Sequence, residues 1–343
     1  MADIQDILKA ARAKRATDIH IAAGSPVLLR IEGQLLPITQ SVLTPRASKE
    51  LSYALLTQEQ IGVFEGEMDL DFMTPDEERN RYRVNISYSD GAVGAVIRLL
   101  PSEPMPLEQL RLPEIVSRMT LARKGLILIT GSTSQGKTTT LAGMIDAVNQ
   151  NARKHIVTIE DPIEYVHANK NSIVRQREVG KDTKSFARGL RAALRQDPDV
   201  IAIGEMRDFE TIKTALTAAE TGVLVISTLH IISIDKIIER LLSYAPEGGD
   251  GHIRALMAEA LLGVIHQELL PTVSGGKRVA CEVLFATDAV RNVMRKRDTF
   301  HIRNLITTGQ RFGMISMKAS LDQLHDEGAI ADSVYEAVLE SYR

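Results

Sequence analysis

Ile4, Ile7, Leu8 and Ala11 recur at helical spacing with charged residues between them, and predict an amphipathic helix over residues 4–15. From Thr17 the period changes to alternation and stops at Gly24-Ser-Pro26. Val27, Leu29 and Ile31 then alternate with Leu28, Arg30 and Glu32, and a Glu32-Gly33 turn before Leu35 to Ile38 predicts a hairpin. A helical block is expected over about 47–65, followed by strands near 81–88 and 91–100. Strands and helices in this order, without strict βαβ alternation, predict a small α+β domain on an antiparallel sheet over residues 1–100. Pro101, Pro104 and Pro106 favour extended backbone, so residues 101–114 read as a Pro-rich linker.

A different rhythm begins at 115 and continues to 343. Apolar runs at 125–130, 155–159, 200–203 and 223–228 alternate with helical patterns such as 185–195. That alternation predicts an α/β domain on a mainly parallel, doubly wound sheet. Beyond about 235 the pattern is mostly helical, with one β-like run at 278–285 and a helical C-terminal part from about 288. There is no internal repeat.

Composition narrows the function. A length of 343 residues suits two domains, and 44% hydrophobic with 25% charged residues is ordinary for globular protein. A net charge of −3 without interleaved aromatic and basic residues predicts no direct nucleic-acid binding. The single cysteine, Cys281, excludes a disulfide framework within one chain, and the eight histidines show no metal-ligand spacing. The opening residues lack the character of a signal segment, and no apolar run approaches the ~18–20 residues that span a bilayer. A cytoplasmic location is therefore expected, with membranes reached through partners.

The chemistry concentrates in Gly131-Ser132-Thr133-Ser134-Gln135-Gly136-Lys137-Thr138-Thr139, which follows an apolar strand and opens a helix. This is the context the motif G-x-x-x-x-G-K-[ST] requires. Its two glycines let successive N–H groups curl toward phosphate oxygens at the positive end of a helix. Lys137 can then reach the β/γ-phosphates, and the Thr138 hydroxyl can join a Mg²⁺ shell. The chain is expected to bind ATP. Each following strand ends in polar groups: Glu160, Asp161 and Glu164 after the second, Glu205 and Arg207 after the third, and Ser227, Thr228 and His230 after the fourth. Ligands of open α/β sheets bind at such carboxyl ends.

Three further stretches carry a resemblance. Thr158–Tyr165, Arg195–Asp208 and Ala218–Gly222 resemble the secretion-type traffic ATPases of type IV pilus and type II secretion systems. Thr17–Ile21 with Arg30–Gly33, Arg81–Asn85, Gln176–Gly180, Ala289–Arg295 and Gly313-Met314 look like the PilT-type retraction branch. The lack of a long N-terminal extension and of a four-cysteine zinc motif favours that branch over assembly motors. The resemblance implies a RecA-like motor domain behind a PAS-like N-terminal domain, a homo-hexamer, and docking on an inner-membrane pilus platform protein at the cytoplasmic pilus base. It implies pilin disassembly as the work done with ATP and Mg²⁺. Glu164 would polarise the attacking water, Glu205 would act through Mg²⁺, and His230 would sense the nucleotide. Arg83 and Arg98 would complete the site across a domain or subunit boundary.

The chain departs from that family pattern at several positions. Val223 stands where a first histidine is usual, Ile231-Ile232 replace a polar pair, and Ser134-Gln135 replace Gly-Ser. These departures open alternatives: a slow accessory subunit paired with a paralogous ATPase, or a related secretion or pilus assembly motor.

Overall fold

The computed structural model describes residues 3–78, 80–101, 103–246, 250–296 and 301–342. The chain divides into two compact units, Met1–Ser102 and Glu103–Arg343.

The first unit contains α1 (Ile4–Ala13), β1 (Asp18–Ile21), β2 (Leu28–Ile31), β3 (Gln34–Pro37), α2 (Pro45–Tyr53), α3 (Gln58–Glu67), β4 (Asp69–Pro75), β5 (Arg81–Ser89) and β6 (Ala92–Leu99). The strands form one antiparallel sheet in the order β3-β2-β1-β6-β5-β4. Ile4, Ile7, Leu8 and Ala11 of α1 are all buried, as their spacing requires. The helical block expected over 47–65 is two helices. Thr57 and Gln60 form a reciprocal capping box, which starts α3 afresh after the turn that ends α2. On β5 and β6, Tyr82, Val84, Ile86, Val93, Ala95 and Ile97 face the core, so Arg83 and Arg98 lie on the opposite face. Those two arginines are direct register partners.

The second unit contains α4 (Glu114–Thr120), β7 (Gly125–Thr130), α5 (Lys137–Asn151), β8 (His155–Glu160), β9 (Ile173–Glu178), α6 (Phe186–Ala193), β10 (Val200–Ile203), α7 (Phe209–Thr221), β11 (Leu224–Leu229), α8 (Ile237–Leu242), α9 (Asp250–Ala260), β12 (Leu261–Pro271), β13 (Lys277–Phe285), α10 (Asp288–Arg295), α11 (Ile302–Thr308), α12 (Met317–Asp326) and α13 (Asp332–Ser341). The sheet order is β13-β12-β7-β11-β10-β8-β9, with every pair parallel except β12 with β13. Alternate residues of one strand feed opposite cores. Leu126 and Leu128 pack with Leu190, Leu216 and Met257, whereas Ile127 and Ile129 pack with Met119, Met144 and Val148. Both faces are covered, which is why these strands read as unbroken apolar runs.

The periodicity does not reveal three strands. β4 carries Asp69 and Asp71 on its exposed positions, and β9 is the polar edge strand Ile-Val-Arg-Gln-Arg-Glu. β12 is the costly omission, because Leu, Gln and Glu are good helix formers and its residues were expected to be helical. Position decides otherwise: β12 lies between β7 and β13, where most of its residues are buried. The stretch expected as a linker also packs into the second unit. Leu107 is buried in its core, and a Cβ on Gly143 of α5 would lie 3.0 Å from the Met105 carbonyl oxygen. Ser102 lies outside the described residues. The helix expected over 185–195 is shorter: α6 ends before Arg195, and its Arg191 pairs with Glu210.

Two glycines test this packing with opposite signs. A Cβ on Gly263 of β12 would lie 2.3 Å from the Met119 sulfur and 2.8 Å from the Leu284 carbonyl oxygen. Gly263→Ala is expected to destabilise by about 1–3 kcal/mol. A Cβ on Gly66 in α3 meets nothing within 4 Å, so Gly66→Ala is expected to stabilise by about 0.5–1 kcal/mol. Denaturant unfolding of both variants checks the pair.

Candidate functional site

β7 is buried along its whole length and delivers the chain to Gly131 at the carboxyl edge of the sheet. Gly131 adopts φ 144°, and a Cβ there would lie 2.5 Å from the Gln267 carbonyl oxygen of β12. Only glycine lets the loop pass that close. Gly136, at φ 80°, caps the start of α5. Between them Ser134 takes φ 64°, a left-handed conformation that costs a side-chain-bearing residue about 1–2 kcal/mol. Gln135 holds the loop in that shape. Its backbone oxygen accepts from Gln267 Nε2 at 2.6 Å, and its side-chain Oε1 accepts from Leu269 N at 2.5 Å. The loop is thus bonded sideways to β12, and its geometry depends on that strand.

Lys137 is the first residue of α5 and is buried. Its Nζ donates to the carbonyls of Gly131 at 2.9 Å and Ser132 at 2.6 Å, and reaches His230 Nδ1 at 3.4 Å. An ammonium can only donate, so Nδ1 of His230 accepts and Nε2 carries the proton. That nitrogen faces Glu205 Oε2 at 3.8 Å, and the same oxygen takes Arg207 Nε at 2.6 Å. Burial lowers the Lys137 pKa, and the nearby Glu205 carboxylate opposes that shift. Burial, then Lys137, lowers the His230 pKa, against the pull of Glu205. The ends of β7, β10 and β11 therefore converge on one array of ammonium, imidazole and carboxylate.

Glu164 is half-buried and makes no hydrogen bond or ion pair among the described residues. It is placed by its neighbour Tyr165, whose buried hydroxyl meets Thr139 Oγ1 at 2.9 Å in the first turn of α5. Glu160 is committed elsewhere, accepting from Thr158 Oγ1 at 2.6 Å and Gln176 Nε2 at 3.0 Å, while Asp161 is exposed. Ser132 and Thr133 are exposed on the loop, and Thr138 is half-buried. The Thr138 hydroxyl and the Glu205 carboxylate are hard oxygen donors of the kind that Mg²⁺ takes alongside phosphate. The donor set fits that ion. Beside the loop opens a cavity of about 520 Å³, lined by Gly136, Thr139, Thr140, Leu110, Leu269 and Arg278 among others. Its size suits a nucleoside-sized group.

Arg83 and Arg98 belong to the first unit. Arg98 Nε is held by Asp18 Oδ1 at 2.9 Å, and both arginines are exposed. Of the departures noted in the sequence, Ser134 and Gln135 shape the loop itself, whereas those at 223, 231 and 232 fall away from the array. Val223 immediately precedes β11 at its amino end, about 20 Å from Leu229 at roughly 3.3 Å per residue. Ile231 is buried in the core, and Ile232 is 63% exposed. The strand's direction therefore puts position 223 at the end of β11 far from this loop. The sequence reading missed Gln267, Tyr165 and a buried His266 beside Thr130. Nothing in the local sequence marks Gln135 as the residue that bonds β12.

A family model described as type II/IV secretion system protein matches residues 1–312. Over 329 residues the chain is 39% identical to the type IV pilus retraction ATPase PilT of Pseudomonas aeruginosa, covering 96% of each. It is 40% identical over 315 residues to a twitching motility protein of Neisseria gonorrhoeae, covering 92% of this chain and 84% of that one. The crystal structure of the pilus retraction motor PilT with bound ADP superposes with a TM-score of 0.89 at 41% identity, covering 98% and 96% of the two chains.

Two buried histidines give the unit a defined pH dependence. Burial lowers His266 and His167 from 6.5 to about 4, with Lys137 adding to the shift at His266. The folded state holds both neutral, so the stability tied to them is complete above about 6.5. It is lost as pH falls from there toward about 4, on the order of 3 kcal/mol for each group. Denaturant midpoints between pH 7 and 4 are expected to fall accordingly. His266→Asn should make that fall shallower whatever it does to stability at pH 7.

Proposed function

Because this chain belongs to the type II/IV secretion system protein family, we propose that it is an ATPase motor that drives retraction of a type IV pilus. The observation that carries the reading is the convergence of Lys137, Glu205 and His230 on one phosphate loop. It occurs in a chain similar over nearly its full length to an ADP-bound retraction motor. The loop's backbone N–H groups and Lys137 take the β- and γ-phosphates, next to the positive end of α5. Thr138 and Glu205 would hold Mg²⁺, which neutralises phosphate charge. Glu164, placed by Tyr165, orients the attacking water. His230, bridging Lys137 and Glu205, registers whether a γ-phosphate separates them. Arg83 and Arg98 are assigned to the nucleotide site of a neighbouring subunit in a homo-hexamer. They supply positive charge that the phosphate loop of one chain lacks. In this reading the ring docks at the cytoplasmic pilus base on the inner-membrane platform protein. The described residues contain no helix long and apolar enough to cross a membrane.

The accessory-subunit reading drew on Val223 and Ile231. Neither faces the array, so a fully active motor is favoured over a slow partner of a paralogous ATPase.

Three sets of variants test the assignment. Lys137→Ala should abolish hydrolysis and weaken ATP binding in a protein that still folds, and undiminished turnover would refute the phosphate-loop argument. Glu164→Gln and Glu205→Gln keep size while removing charge, so they should spare ATP affinity and cut kcat by roughly 10²–10⁴. Near-normal kcat in both would move the chemistry away from these strand ends. Specific activity should rise with protein concentration, and Arg98→Ala should lose activity while the ring persists. A concentration-independent rate from a monomer contradicts completion by a neighbour.

A further inference from the structure

β12 carries a second polar connection that the phosphate-loop chemistry does not use. His266 is the cross-strand partner of Thr130, the residue that precedes Gly131, and both are buried. Thr130 Oγ1 lies 3.0 Å from His266 Nδ1, and His266 Nε2 lies 2.6 Å from the hydroxyl of Tyr342, the C-cap of α13. The Tyr342 hydroxyl donates to Glu268 Oε1 at 2.8 Å. A phenol has one proton. With that proton committed to a carboxylate, Tyr342 can only accept from His266, so Nε2 is protonated and Nδ1 accepts from Thr130. Hydrogen bonds therefore run in one direction from Thr130 through His266 and Tyr342 to Glu268. Burial lowers the His266 pKa to about 4, which keeps this neutral tautomer in place at ordinary pH.

The pleat places a second set of bonds on the other side of the same few residues. His266 and Glu268 point toward Tyr342, while Gln267 bonds Gln135 of the loop and the Gln267 carbonyl presses on Gly131. A displacement of β12 here moves both at once. Tyr342 also packs with the apolar layer of Leu270, Met317, Leu321 and Leu324. The end of α13 is thus tied to the strand that shapes the phosphate loop.

We propose that His266 and Tyr342 are positioning residues that couple the docking of α13 to the state of the phosphate loop. Nucleotide on the loop and a docked C-terminal helix then favour one another. The inference rests on the nucleotide-binding reading of the loop and adds a place where occupancy is reported.

Hydrogen exchange at the amides of residues 334–342, with and without saturating ADP and Mg²⁺, tests it in the full chain. ADP is expected to slow exchange there about fivefold. Tyr342→Phe keeps the ring and deletes the hydroxyl, so it should remove that difference. Because coupling between sites is reciprocal, it should also weaken ADP binding by a similar factor. His266→Asn can still serve Thr130 but not Tyr342, and His266→Gln the reverse. Each should lose the ADP effect, whereas a merely structural bond would survive in one of them. The proposal is overturned if ADP binds the parent chain without changing exchange at the C-terminus. It is equally overturned if Tyr342→Phe keeps the full difference. A parent chain that binds no ADP would instead bring down the nucleotide reading, and this inference with it.

Discussion

The pairing of β12 with β7 is the contact on which the nucleotide site depends. A glycine-rich loop has little shape of its own, because each glycine admits many backbone conformations. Here the shape is imposed from outside. β12 runs parallel to β7 from Leu261 to His266, then extends past it to receive Gln135 and to press its Gln267 carbonyl against Gly131. Next to the left-handed Ser134, Gln135 is bonded to that strand through both its backbone and its side-chain carbonyl oxygens. Removing β12 would leave the motif intact in sequence and its N–H groups without a fixed direction.

Electrostatics builds on that frame. Lys137 is buried, and its ammonium loses solvation that two loop carbonyls and the Glu205 carboxylate partly restore. His230 stands between the positive and negative members and is kept neutral by burial and by Lys137. The strands that deliver these groups are buried on both faces, so they form a closely packed frame for the side chains.

The first unit follows a different logic. Its antiparallel sheet buries one face against α1 and α3 and leaves Arg83 and Arg98 side by side on the other. Two cations on adjacent strands repel one another unless an anion lies near, and Asp18 meets part of that need at Arg98. An exposed pair of this kind has little to contribute to the stability of its own unit.

Much of this was legible in the chain alone. The apolar runs of β7, β8, β10 and β11 announce a parallel sheet because strands covered on both faces need no alternation. The glycines and lysine of the loop announce phosphate because few other arrangements let the backbone approach an anion. The acidic strand ends mark the crevice because the sheet's polarity puts every carboxyl end on one edge. The amphipathic spacing of α1 and the alternation of β5 likewise stated which side faces inward. Tertiary structure decided the rest. The residues of β12 favour a helix by local preference and are strand only because two neighbours bury them. Val223 looked like a gap in the site until the direction of β11 put it at the far end. Local sequence carries period and backbone freedom. It does not carry which strand lies beside which, and that adjacency determined how Gln267, His266 and Tyr342 meet the phosphate loop.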